Sequence, residues 1–327
     1  MPSSLPDRAL AARLAGAAVV AMDPAGRGGN NRVFRVRTAD GRLFALKHSP
    51  LEAEDRRDRL GTEVAGLRFL RDHGIASVPR PVAADQAARC ALYEWIDGEP
   101  PAAAETAVDA MGDFLAGLQA LRAVPEAGHL RPASDAAFSG AEALANLRRR
   151  RLRFTEPARH DADLAAILAE VDAATEEAGA RLDDSPVPRI LSPSDLGLHN
   201  MLRRPDGSYA FVDFEYFGWD GATKAVADAM LHAGSDLSPE LADRFRRRVG
   251  PVFSALDSRF EALLANHWPL FALAWCLICL NEFLPGRLER RQRLRGDAAD
   301  RQAIRARQLA KARRMLDRAI AGGEKPE

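Results

Sequence analysis

The stretch Leu191-Ser-Pro-Ser-Asp-Leu-Gly-Leu-His-Asn-Met-Leu202, followed by Ala210-Phe-Val-Asp-Phe-Glu215, contains the most informative residues of this 327-residue chain. Asn200 comes five residues after Asp195, and Asp213 ends an apolar run thirteen residues after Asn200. This order of Asp, Asn and Asp across a predicted hairpin is typical of magnesium-dependent phosphoryl transfer. In such sites the first Asp orients an attacking hydroxyl, and the Asn and the second Asp hold metal on the nucleotide phosphates.

Upstream residues supply the other half of such a site, in the expected order. The glycine-rich loop Gly26–Asn31 can bring backbone N–H groups close to phosphate oxygens, because glycine has no Cβ to clash. Lys47 ends a predicted strand of the next hairpin, and Glu63 lies on a predicted helix where it can pair with Lys47. The Gly-x-x-x-x-Gly-Lys-Ser/Thr motif of phosphate-loop NTPases does not occur in the sequence.

Lysine is rare in this chain, and its positions are therefore informative. Only four of the 46 basic residues are lysines: Lys47, Lys224, Lys311 and Lys325. A lysine retained in an arginine-rich chain indicates a place where a compact ammonium fits better than a guanidinium fork.

These motifs resemble those of the aminoglycoside phosphotransferase and choline kinase-like family, which has a protein-kinase-like, two-lobed fold. The resemblance covers about residues 25–235 and is carried by Gly28-Gly-Asn-Asn-Arg-Val-Phe-Arg-Val36, Phe44-Ala-Leu-Lys47, Thr62-Glu-Val-Ala-Gly-Leu-Arg-Phe-Leu70, Tyr93-Glu-Trp-Ile-Asp-Gly-Glu-Pro100, Pro193-Ser-Asp-Leu-Gly-Leu-His-Asn200 and Val212-Asp-Phe-Glu215. The fifth of these segments stands where the family usually has His-Gly-Asp-Leu-His-x-x-Asn.

The resemblance implies roles for selected residues of the quoted segments. It implies that Asp195 orients the acceptor hydroxyl and that Asn200 and Asp213 bind Mg²⁺. It implies nucleotide binding by Gly28, Gly29, Asn30, Lys47, Glu63 and the backbone of Glu94, Trp95 and Ile96, the last three at the adenine edge. Asp228 is expected to brace the catalytic loop by accepting backbone hydrogen bonds. ATP and Mg²⁺ are the expected cofactors.

Two positions depart from the family pattern. Pro193 stands where the family usually has a loop-bracing His, and Gly197 stands where it has a second His, while a His occurs at position 199. We expect His199 to pack within the loop and assign it no chemical role. Glu215 is equally compatible with a second metal ligand and with a structural neighbour.

The expected fold is α+β and two-lobed. Residues 1–98 are predicted to form a small, β-rich, nucleotide-binding lobe with one main helix. Residues 99–327 are predicted to form a large, mostly helical lobe with the catalytic loop (191–202), the metal segment (210–215) and substrate-binding helices. Residues 5–22 are predicted to form a short amphipathic helix, and separate helices are predicted over 239–264 and 268–284.

Composition excludes several other classes of protein. Lys plus Arg and Asp plus Glu number 46 each, so a nucleic-acid partner has no support from charge. The N-terminal residues lack a basic region followed by an apolar run, so we expect a cytoplasmic protein without a membrane anchor. Cys276 and Cys279 lie in the apolar run Trp268–Leu284, where buried packing cysteines and a core helix are expected.

The predicted function is ATP- and Mg²⁺-dependent transfer of the γ-phosphoryl group to a hydroxyl of a sugar, amino sugar, amino alcohol or similar metabolite. One alternative is a kinase-like nucleotide-binding protein with little or no turnover, which Pro193 keeps open. Another is a protein kinase, although no long activation-loop segment follows Asp213. The sequence leaves the oligomeric state open.

Overall fold

The computed structural model describes residues 6–25, 31–50, 57–288 and 301–322. Its strands are β1 (Val19–Pro24), β2 (Arg32–Thr38), β3 (Leu43–His48), β4 (Pro81–Asp85), β5 (Cys90–Glu94), β6 (Arg189–Ser192), β7 (Met201–Arg203), β8 (Tyr209–Phe211) and β9 (Gly218–Gly221). Its α-helices are α1 (Arg8–Ala15), α2 (Arg59–Asp72), α3 (Glu105–Leu118), α4 (Gly140–Leu152), α5 (Thr155–Ala158), α6 (Ala162–Ala180), α7 (Ala222–Leu231), α8 (Pro239–Leu256), α9 (Phe260–Cys279) and α10 (Arg301–Ala321). Short 3-10 helices cover Gln119–Ala123, Pro125–His129, Leu198–Asn200 and Leu280–Phe283.

An antiparallel sheet in the order β1-β2-β3-β5-β4 forms the first lobe. The central strand β3 holds Lys47 opposite Val33 of β2 and Ala91 of β5. Helix α2 connects β3 to β4, and the chain after β5 is mostly helical. The predicted two-lobed α+β architecture is therefore confirmed.

The prediction of a helix over residues 5–22 is wrong in its second half. Helix α1 ends at Ala15 because Gly16 adopts a left-handed conformation with φ of 62°, in which its N–H caps the carbonyl of Ala12. The following Val19 and Val20 start strand β1, the edge strand that pairs with β2. β-Branched residues pack well on a pleated sheet surface, which explains this outcome.

Two antiparallel sheets of two strands each carry the motif stretch of the second lobe. Strand β6 pairs with β9, and β7 pairs with β8. Asn200 ends the 3-10 helix before β7, and Asp213 follows shortly after β8. The N–H of Val212 donates to the carbonyl of Asn200 over 2.9 Å, which fixes the two segments against each other.

Helix α9 is the central helix of the second lobe and packs against α4, α6, α7, α8 and α10. The stretch Phe260–Phe283 is long and apolar enough to cross a membrane by composition, but 67% of its most apolar window is buried in the structure. The expected core helix is confirmed, although it begins at Phe260. The break between α8 and α9 therefore falls at residues 257–259, whereas the sequence predicted it near residues 265–267.

Candidate active site

A cluster of charged side chains forms where strand β3, helix α2 and the segment after β8 meet. Its members are Lys47, Glu63 and Asp213, one from each of these elements. The ammonium of Lys47 donates to Oε1 of Glu63 over 2.8 Å and to Oδ1 of Asp213 over 2.5 Å. The N–H of Phe214 donates to Glu63 over 3.2 Å, so helix α2 is tied directly to the segment after β8. Three residues that were predicted from separate motifs thus form one cluster.

Glu215 extends this cluster and is itself deeply buried, with 3% of its surface exposed. Its carboxylate accepts from the amide of Asn31 over 2.7 Å and lies 3.5 Å from the guanidinium of Arg59. These contacts favour the structural role for Glu215, because they engage both carboxylate oxygens.

The cluster has more carboxylates than cations, and this shifts its pKa values. Burial alone would lower the pKa of Lys47, but the carboxylates of Asp213 and Glu63 outweigh it and raise that pKa. Burial raises the pKa of Asp213, with Lys47 opposing and Glu215 reinforcing the effect. An oxygen-rich site with surplus negative charge is suited to a hard divalent cation such as Mg²⁺.

Asp195 and Asn200 lie together in the loop between β6 and β7. The amide nitrogen of Asn200 donates to the backbone carbonyl of Asp195 over 2.9 Å and lies 3.2 Å from its Oδ2. The amide oxygen of Asn200 is the hard ligand atom that such a loop offers to a metal ion. The φ angles of Ser194 and Asp213 are 66° and 68°, a left-handed conformation that is rare outside glycine. Such backbone strain is common at functional sites.

Two histidines also surround Asp195. Nε2 of His232 lies 2.7 Å from Oδ1 of Asp195, and Nε2 of His199 lies 3.7 Å from Oδ2. The two imidazole rings stack with their centres 4.2 Å apart. The expectation that His199 packs within the loop is therefore incomplete, because the ring also faces Asp195.

These contacts set the protonation state of Asp195. Burial raises the pKa of its carboxyl, but the two imidazoles that face it, those of His199 and His232, outweigh burial and hold the pKa far below its usual range. Asp195 is therefore ionised at neutral pH. A carboxylate of this kind is a weak base, and it suits the orientation of a hydroxyl group rather than its early deprotonation.

Asp228 does not brace the loop in the predicted way. Its two carboxylate oxygens accept from Nε1 of Trp275 over 2.8 Å and from Nζ of Lys224 over 2.7 Å. Lys224 also donates to Asp220 over 2.9 Å. The carboxylate of Asp228 is thus occupied by side chains of α7 and α9, within the part of the chain that the structure describes.

The predicted nucleotide-binding residues fall into two groups. Gly28, Gly29 and Asn30 lie outside the described residues. Glu94 ends β5, and Trp95 and Ile96 follow it as half-buried chain between the two lobes. The bridge between Glu99 and Arg203 then joins this connection to β7, which places it beside the catalytic loop.

His232 is the residue of the site that sequence reasoning missed. It follows α7 directly and lies 37 residues after Asp195, so no local spacing connects the two. The available signal was weak: a histidine at the end of a helix, followed by Gly234 and Ser235, in a chain with only seven histidines.

Comparisons with known proteins agree with this geometry. A model of the APH family, described as the phosphotransferase enzyme family, matches residues 22–263. A comparison with curated proteins found no match.

Solved structures share the fold at low sequence identity. Choline kinase LicA from Streptococcus pneumoniae matches with a TM-score of 0.59 and 16% identity, over 91% of this chain and 94% of that one. The gentamicin-APH(2")-IIa complex matches with a TM-score of 0.61 and 13% identity, over 96% and 99%. A putative fructosamine-3-kinase from Thermobifida fusca matches with a TM-score of 0.55 and 23% identity, over 95% and 100%. The chain belongs to the APH phosphotransferase enzyme family, and it is a phosphotransferase with an alcohol group as acceptor.

Proposed function

We propose that the protein is an ATP- and Mg²⁺-dependent small-molecule kinase that transfers the γ-phosphoryl group to a hydroxyl of a sugar, amino sugar, amino alcohol or similar metabolite. The single observation that carries this proposal is the meeting of Lys47 with Glu63 and Asp213 at 2.8 Å and 2.5 Å. Such a Lys–Glu pair beside an Asp is the arrangement that orders nucleotide phosphates in kinases.

In this proposal each group of the site performs a separate task. Lys47 holds the phosphates of ATP, and Glu63 keeps the ammonium of Lys47 in place. Asn200 and Asp213 are the residues that would hold Mg²⁺, which supplies neutralisation of charge on the phosphates when it is bound. The donor set fits the ion, because a carboxylate and an amide offer hard oxygen ligands beside a surplus of negative charge.

Asp195 has the task of orienting the acceptor hydroxyl. Its carboxylate is ionised and is 29% exposed, so a lone pair remains accessible to an incoming hydroxyl group. Phosphoryl transfer depends mainly on positioning and charge stabilisation, so a weakly basic carboxylate in a fixed orientation is sufficient for this role.

We assign the two lobes on the same basis. Residues 1–98 bind the nucleotide, with the backbone of Glu94, Trp95 and Ile96 at the adenine edge. Residues 99–327 provide the catalytic loop, the metal segment and the substrate-binding helices. A cytoplasmic location accords with three cysteine thiols that are all buried.

The decisive experiment measures ADP release from ATP across a panel of sugars, amino sugars and amino alcohols. We expect acceptor-dependent turnover that Asp195→Asn lowers by about 10²-fold or more. The matched control is Asp206→Asn, which changes an exposed carboxylate in the turn between β7 and β8 and should leave turnover unchanged.

Nucleotide binding provides the second arm of the test. ADP should raise the thermal unfolding midpoint only when Mg²⁺ is present, and Asp213→Asn, which removes a proposed Mg²⁺ ligand, should weaken this Mg²⁺-dependent shift. Mg²⁺-dependent nucleotide binding without any Asp195-dependent turnover would contradict the kinase proposal. It would favour the alternative of a nucleotide-binding protein, to which Pro193 gives support.

A further inference from the structure

His232 lies immediately after helix α7, and its ring packs against two other aromatic rings. The imidazole stacks on His199 at 4.2 Å and meets the edge of the Trp275 ring at 4.5 Å. Only 9% of the surface of His232 is exposed. The ring is therefore confined to one orientation, in which Nε2 lies 2.7 Å from Oδ1 of Asp195.

A backbone contact determines which nitrogen of His232 carries the proton. The N–H of Gly234 donates to Nδ1 over 3.0 Å, so Nδ1 presents a lone pair. A neutral imidazole then carries its proton on Nε2. It follows that His232 donates a hydrogen bond from Nε2 to Asp195.

The hydrogen bond from Gly234 to Nδ1 also excludes a metal ion bound by Asp195, His199 and His232. The ligand atoms of Asp195, His199 and His232 lie within 4.8 Å of one another, which is close enough for a three-ligand site. However, a histidine that binds metal through Nε2 carries its proton on Nδ1 and donates it to an acceptor. Nδ1 of His232 faces a donor instead, so these three side chains form a hydrogen-bonded group and not a metal site.

A chain of hydrogen bonds holds the Trp275 indole, which the His232 ring contacts. Trp275 donates from Nε1 to Asp228, which in turn accepts from the buried Lys224. These bonds fix the indole against which His232 packs. The orientation of the imidazole thus depends on residues of α7 and α9 as well as on His199 of the catalytic loop.

We propose that His232 is a positioning residue that holds the Asp195 carboxylate in the orientation needed for phosphoryl transfer. This inference rests on the proposed function. Pro193, two residues before Asp195, has no side-chain donor, and His232 supplies a donor from a different element. With Oδ1 held by His232 and the amide of Asn200 beside Oδ2, the remaining lone pair of Oδ2 is left for the acceptor hydroxyl.

The test compares two substitutions of His232 in the full chain with the acceptor found in the panel above. His232→Phe keeps the ring but removes the donor, and kcat should fall by about 10²-fold while KM for ATP changes little. His232→Gln restores an N–H near the position of Nε2, and kcat should return to within about fivefold of wild type. The control His267→Phe removes another buried histidine, which contacts Thr223 and Asp183 but not Asp195. It should cost stability without lowering kcat.

Nitrogen NMR of histidine-labelled protein tests the inference independently of catalysis. We expect the His232 ring to be in the Nε2–H tautomer and its Nε2–H signal to shift in Asp195→Asn. An Nδ1–H tautomer, or a signal that Asp195→Asn leaves unchanged, would overturn the inference even if His232→Phe fails to fold.

Different results would contradict the proposed function and the role of His232. If the wild-type chain shows no Asp195-dependent turnover with any acceptor, the proposed function fails, and the role of His232 fails with it. If turnover depends on Asp195 but His232→Phe retains full kcat, only the role of His232 is overturned. Equal losses of kcat in the Phe and Gln variants would also contradict it, because the hydrogen bond would then not be the cause.

Discussion

The ammonium of Lys47 donates to Oε1 of Glu63 over 2.8 Å, and both side chains are almost completely buried. The pair joins strand β3 to helix α2, and its contact with Asp213 joins both to the second lobe. A single ammonium thus connects the sheet, the main helix of the first lobe and the segment that follows β8. Removal of that charge should affect both the site and the junction between the lobes.

We predict that Lys47→Met lowers kcat/KM for ATP by about 10²-fold, because a preorganised charge on the phosphates is lost. Glu63→Gln should cost less, about tenfold, because Lys47 keeps its contact with Asp213. Steady-state kinetics with varied ATP provides the measurement. Arg13→Met, which removes an exposed pair with Asp85 in the same lobe, is the control and should leave kcat/KM unchanged. Unchanged kcat/KM in Lys47→Met would remove Lys47 from the proposed site.

The parts of the site that could be predicted from sequence are those with short, regular spacing. Asp195 and Asn200 share one loop, and Asp213 follows the next hairpin, so a linear pattern is sufficient to relate them. Lys47 and Glu63 were predicted to pair because the kinase template has a Lys on a strand and a partner Glu on a helix. Their 2.8 Å contact confirms this pairing.

The parts that could not be predicted depend on long-range packing. The bond between His232 and Asp195 arises because α7 ends beside the catalytic loop, and no periodicity in the sequence specifies where α7 ends. The partners of Asp228 were assigned by resemblance to the wrong groups, because Trp275 comes from a helix 47 residues away. Strand β1 was missed because residues 5–22 were predicted as one amphipathic helix, whereas the left-handed Gly16 ends the helix and the β-branched Val19 and Val20 begin a strand that pairs with β2.

The rarity of lysine was a useful sequence signal. Lys47 and Lys224 are both buried and both lie between carboxylates, whereas Lys311 is only half-buried and lies 3.4 Å from a backbone carbonyl. A compact ammonium can bond to two carboxylates in a narrow space where a planar guanidinium does not fit.

We predict that Lys224→Met lowers the free energy of unfolding by about 3 kcal/mol, because it leaves the buried carboxylate of Asp220 and the partly buried carboxylate of Asp228 without a counter-charge. The measurement is urea denaturation at pH 7. The matched control Lys311→Met should cost about 1 kcal/mol or less, since it removes one hydrogen bond of a half-buried side chain.

A second substitution identifies the cause of that loss. If uncompensated charge is responsible, adding Asp220→Asn to Lys224→Met should recover part of the lost stability. A double variant that is less stable than Lys224→Met alone would indicate that lost packing of the lysine side chain dominates.

The three cysteines should be unreactive in the folded protein. Burial raises the pKa of Cys90 to about 12 and that of Cys279 to about 11, and it raises the pKa of Cys276 as well. At pH 8 only about one thousandth of Cys279 is then thiolate, the form that reacts. Titration with a disulfide reagent at pH 8 should therefore detect almost no thiol in the native protein and three in denaturant. Rapid labelling of the native protein would contradict this prediction and show that at least one of the three thiols is accessible.

The backbone at Ser194 offers a test of strain in the catalytic loop. Ser194 has a φ of 66° and occupies the place of the glycine in the family motif His-Gly-Asp. A residue with a Cβ pays about 1 kcal/mol in this conformation. We therefore predict that Ser194→Gly is about 1 kcal/mol more stable than Ser194→Ala, both of which lack the hydroxyl.

The control makes the same two substitutions at Ser185, which does not have a positive φ. There the glycine variant should be the less stable one, because glycine raises the entropy of the unfolded chain and relieves no strain in the folded protein. Urea denaturation of the four variants decides the matter, and equal stability of Ser194→Gly and Ser194→Ala would mean that the loop relaxes without cost.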